Sequence, residues 1–147
     1  MDGSVQNQDI VLLVVSAAGN DGLTPVQLQK SVFLVGKSGL SGLPTEFYSF
    51  TPYNYGPFNA NIYRDAEHLA AEGLLAQVQA VGRTWPMFSI TPAGRNRAEK
   101  LYSRVQDILQ EHIKNIVEWV KAQSFTHLLR TIYAKYPEFK ENSVFQE

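Results

Sequence analysis

Glycine, proline and capping residues divide residues 24–94 so closely that few chain paths fit them. Thr24 offers an N-cap hydroxyl, and Pro25 suits the first helical position, where a missing N–H costs nothing. Leu28, Val32 and Val35 recur at i, i+4 and i+7, so the helix that follows has one apolar face. Three glycines in residues 36–44 turn it into a loop. Residues 46–51 are rich in aromatic side chains and predict an extended segment, ended by Pro52 and Gly56-Pro57. Asn59 or Asn61 caps a further helix with Ile62, Ala66 and Leu69 inward, and Gly73 ends it in the left-handed conformation. Residues 74–81 and 87–91 read as two strands about a Gly82-Arg83-Thr84-Trp85 tip.

The flanks complete the pattern. Residues 10–15 (Ile-Val-Leu-Leu-Val-Val) are apolar on all sides of a helix spanning residues 8–18, which predicts a central, buried element. Gly19-Asn20-Asp21-Gly22 breaks it. Pro92 opens a long helical stretch in which Leu101, Val105 and Ile108 form one stripe and Ile113, Ile116, Val117 and Val120 form another, offset from the first. Either one helix with a stutter or two helices meeting near His112 would satisfy that offset, and the break is the favoured reading. Ser124 caps a last helix with Phe125, Leu128, Leu129 and Ile132 inward, and the tail after Pro137 is short and polar.

This order predicts a mainly α (α+β) fold: a winged helix-turn-helix with a small β-hairpin wing and a C-terminal helical extension. The chain reads as a single domain over residues 1–147, with its core in about 8–94 and the extension in 95–136. Six consecutive apolar residues are too few to span a bilayer, and no basic residue precedes them as in a secretory leader. With no cysteine at all, thiolate metal sites and cysteine nucleophiles are excluded, and a reducing cytoplasm is the expected location.

Charge complicates the obvious role for such a fold. The totals are 13 basic and 14 acidic groups, whereas phosphate binding favours a basic excess. Asn61, Arg64 and His68 share the outward face of the third helix, where base-reading side chains would sit. Yet Asp65, Glu67 and Glu72 outnumber Arg64 there and would repel phosphates. Arg83 on the hairpin tip and Arg97 and Lys100 on the next helix, with Arg104 beyond, are the other candidate DNA contacts. The ordinary reading of that helix is a solvated stripe paired with Glu99, Asp107 and Glu111. Tyr48, Tyr53, Tyr55 and Phe58 belong to an aromatic run that fits either a partner-binding groove or a small core. His68, His112 and His127 lack ligand spacing, and no phosphate loop or nucleophile elbow occurs. No catalytic residue, metal or cofactor is expected.

Three segments resemble a known group. Thr24-Pro-Val-Gln-Leu-Gln-Lys30, then Tyr53-Asn-Tyr-Gly-Pro57 with Glu72-Gly-Leu74, and finally the stretch ending Tyr133-Ala-Lys-Tyr-Pro137 resemble motifs of the YwgA-like and Panacea (SocA-like antitoxin) winged-helix proteins. Phe88-Ser-Ile-Thr-Pro-Ala-Gly94 is similar to the wing exit of PadR-like and MarR-like repressors. The first resemblance implies a prokaryotic accessory protein: an antitoxin, a proteolysis adaptor or a phage-defence component. It carries no catalytic residues with it. The expected function is therefore a non-enzymatic interaction module whose partner is a toxin or another operon neighbour. The alternative is a regulator of double-stranded DNA, dimeric through its C-terminal helices.

Overall fold

The computed structural model describes residues 5–145 apart from residues 80 and 83. Six α-helices and two antiparallel strand pairs make up most of the regular structure among the described residues, so the protein is mainly helical with a small β component. At its centre lies α1 (Asn7–Ala17), whose Ile10, Val11, Leu12, Leu13, Val14 and Val15 are all buried. Six consecutive buried residues require neighbours on every side, and α2 (Pro25–Gly36), α3 (Ala60–Ala71), α4 (Pro92–Leu101) and α5 (Asp107–Ala122) supply them. Each such side chain contributes about 1.5–3 kcal/mol on burial.

Local signals set the starts of these helices. Thr24 accepts from the Gln27 N–H at 3.1 Å, and the Gln27 amide oxygen accepts from the Thr24 N–H at 2.9 Å, a reciprocal cap for α2. Asn59 caps α3 by accepting from Asn61 N at 2.8 Å, Thr91 caps α4 and Ser124 caps α6 (Phe125–Lys135). Gly73 takes φ +78° after α3, as its position predicts.

The hairpin β3 (Leu75–Val78) and β4 (Met87–Ile90) gains a third partner from far upstream. Leu23 exchanges both backbone hydrogen bonds with Phe88, at 2.8 and 2.9 Å, so the link between α1 and α2 is pinned to the sheet. A Cβ on Gly94 would lie 1.9 Å from the Leu74 carbonyl oxygen, so only glycine lets α4 dock against the link between α3 and β3.

Several expectations are corrected. Pro52 and Pro57 do not end an extended segment. They face one another in a second hairpin, β1 (Thr51–Tyr53) with β2 (Gly56–Phe58), a two-stranded ribbon where a missing N–H is tolerated. The break in the long helical region falls at Val105–Gln106, after a single 3₁₀ turn, and not near His112. Gln110 stops α4 from downstream, its Nε2 donating to the carbonyls of Tyr102 at 2.9 Å and Val105 at 2.6 Å. Ile108, expected inward, is 62 % exposed. The tail is not simply polar: Phe139 is buried, 4.9 Å from Phe33 in an edge-to-face pair, and belongs to a second apolar cluster under α6.

Candidate functional site

Side chains of α2, the β1–β2 hairpin and the C-terminal segment meet at one joint. Gln29 and Lys30 are buried on α2, where a charged side chain is unusual. Gln29 brackets the start of α3, donating to the Asn59 carbonyl at 2.9 Å and accepting from the Asn59 N–H at 3.0 Å. Lys30 Nζ donates to the Pro57 carbonyl at 3.1 Å. Burial lowers the Lys30 pKa to about 7, because the ammonium form loses its hydration there. From the other side, Val144 N and Ser143 Oγ both donate to the Asn54 carbonyl, at 2.9 and 3.2 Å, and Tyr133 donates to Ser143 at 2.6 Å. The β1–β2 hairpin is thus clamped between α2 and the C-terminal segment.

That clamp sorts the aromatic run into two populations. Tyr48 is buried and donates to Asp65; burial first, then that carboxylate, raise its pKa well above the ordinary phenol value. It is core, not a partner contact, and this corrects the sequence expectation. Phe58 is half-buried, stacked on Tyr53 at 4.7 Å and edge-on to Tyr63 at 5.8 Å. Burial also pushes Tyr63 up to about 12, and its hydroxyl donates to the Pro25 carbonyl. Tyr53 and Tyr55, however, are 50 % and 43 % exposed.

Tyr55 opens onto a groove of about 540 Å³ between the starts of α2 and α6, which Val26, Trp85, Phe125 and Leu128 also line. Trp85 is 47 % exposed and Phe125 44 % exposed, with the Phe125 ring 5.5 Å from Tyr55. No charged residue lines this groove among the described residues. Phe125 was expected inward. As the first residue after the Ser124 cap it projects beside the helix start, and that position is the signal that sequence reasoning missed. Compared with known proteins, the chain matches no family model, no curated protein and no solved structure.

The candidate DNA contacts lie elsewhere. Asn61, Arg64 and His68 are exposed on α3, and Arg97 and Lys100 are exposed on α4; Arg83 lies outside the described residues. The expected pairing of the α4 cations does not form: among the described residues neither Arg97 nor Lys100 has a carboxylate within 4.0 Å, whereas Lys121 lies 3.7 Å from Asp21. Beside Asn61 and Arg64, a cleft of about 380 Å³ is lined also by Glu46 and Asp65, which gives this face mixed charge. No group of three metal-ligating side chains occurs among the described residues, and no helix there is long and apolar enough to cross a membrane.

Proposed function

We propose that this protein is a winged-helix protein of the YwgA-like and Panacea kind, acting without catalysis as a cytoplasmic interaction module, antitoxin- or adaptor-like, on a protein partner from a toxin–antitoxin or phage-defence operon. The uncharged groove with three half-exposed rings carries this reading. Soluble domains rarely leave Tyr, Trp and Phe clustered at the surface unless something covers them, and such rings dominate binding energy at protein interfaces. The helix order, the β3–β4 hairpin and the added Leu23 bridge support the winged-helix reading. The Gln29–Lys30 clamp on the Tyr-Gly-Pro turn gives the resembling motifs one shared physical task.

The test co-expresses the protein with each product of its neighbouring genes and compares pull-down by the wild type and by Phe125→Ala and Tyr55→Ala variants. The reading requires that one neighbour be retained by the wild type and lost from both variants, with thermal stability nearly unchanged. Equal retention by all three proteins would remove the groove from the account. A dimeric DNA-binding regulator is the second reading, favoured by the unpaired Arg97 and Lys100. It requires salt-dependent binding of duplex DNA at micromolar protein, weakened by Arg97→Ala and Lys100→Ala.

A further inference from the structure

At the opposite ends of α2 and α6 lies a groove of different chemistry, about 430 Å³ in volume. One face of α5 presents His112, Asn115 and Trp119 at i, i+3 and i+7. Lys37 enters from just beyond α2, and Lys135 and Tyr136 from the end of α6. No Asp or Glu lines the groove, and neither lysine has a carboxylate within 4.0 Å among the described residues. Lysines near helix C-termini answer the helix dipole, which accounts for each one singly. It does not account for their convergence with a histidine on two aromatic rings. Lys37 is also held in place: its Nζ lies 5.6 Å from the ring centroids of Phe33 and Tyr136 and 5.9 Å from that of Phe139.

We propose that this groove binds a small organic anion carrying a planar ring, of nucleoside-monophosphate size. The two ammonium groups and His112 supply donors for a phosphate, Trp119 supplies a ring for stacking beside Tyr136, whose ring already carries Lys37, and the Asn115 amide can pair with a ring edge. The volume falls in the range of about 300–1,000 Å³ usual for such ligands. This site does not depend on the partner groove, which shares none of its lining residues.

Calorimetry at low salt with AMP, adenosine and inorganic phosphate separates the contributions. AMP is expected to bind at sub-millimolar concentration, with adenosine and phosphate each at least about tenfold weaker, since each forfeits one class of contact. Lys135→Gln, at an exposed position, should weaken AMP by about tenfold, as loss of one charge-assisted contact predicts. In a Trp85→Phe protein Trp119 is the sole indole, and AMP should change its emission when excited at the red edge, where adenine is transparent. That readout needs no lysine variant to fold. Absence of AMP binding at millimolar concentration, phosphate binding as tightly as AMP, an unchanged affinity in Lys135→Gln, or silent Trp119 emission overturns the proposal.

Discussion

The two faces of the Phe47–Phe58 segment, a few residues apart, are held by opposite kinds of force. Inward, Tyr48, Gly56 and Pro57 are buried against α2, α3 and α6 and tied by specific hydrogen bonds to Asp65 and Lys30. Outward, Tyr53 and Tyr55 keep about half their surface in water, with their rings against Phe58 and Phe125. Inner positions should therefore govern stability and outer ones binding. The clamp that buries one face is what holds the other in a fixed place.

The largest test of the inner face is its pH dependence. Unfolded, Lys30 keeps its proton up to 10.5; folded, it gives the proton up near 7. Below about pH 7 both states are charged and the cost of burying the ammonium is fully present. As pH rises toward 10.5 the unfolded state binds more protons than the folded one, so stability should increase, by about 5 kcal/mol over that window. Urea unfolding across that range checks it. Lys30→Met should flatten the slope; an equal slope in the variant would separate Lys30 from the effect.

Gly56→Ala comes next. Gly56 has φ +89°, and an added Cβ would sit 3.3 Å from the Tyr133 ring and 3.6 Å from Lys30 Cε. Backbone strain and the tight contact together should cost about 2 kcal/mol, read as a lower urea midpoint with unchanged slope. Tyr48→Phe follows at about 1.5 kcal/mol, the lower end of the net worth of a bond to a charged acceptor, in partly buried surroundings. A neutral result there would place the ring, not the hydroxyl, in charge of the inner face.

What was legible in the chain were local devices. Thr24-Pro25, Asn59, Gly73, Pro92 and Ser124 act within three residues of themselves, so their roles can be read in order along the sequence. Longer-range effects were hidden. Gln29 and Lys30 look like solvent-facing residues of an amphipathic helix, because only the folded turn supplies the carbonyls that justify burying them. The stop at Val105 was invisible for a similar reason: no glycine or proline marks it, and its cap is a side chain from the following helix. The site was half legible. Tyr55 was singled out from its aromatic neighbours only as a group, and Phe125 joined it through an antiparallel hairpin and a helix start far apart in sequence.

The smallest effect on stability belongs to the outer face, and it is the one that bears on function. Tyr55→Ala removes a ring that is nearly half exposed and whose recorded ring contact is Phe125, so the fold should lose under about 1 kcal/mol. Partner retention should fall by more than about tenfold, because a ring that becomes fully covered only in the complex contributes most of its burial there. Thermal melts and pull-down on the same preparation read both quantities. If the melt shifts as far as it does for Gly56→Ala, Tyr55 belongs with the inner face, the contrast between the two faces fails, and the groove is left as exposed packing with no partner to explain it.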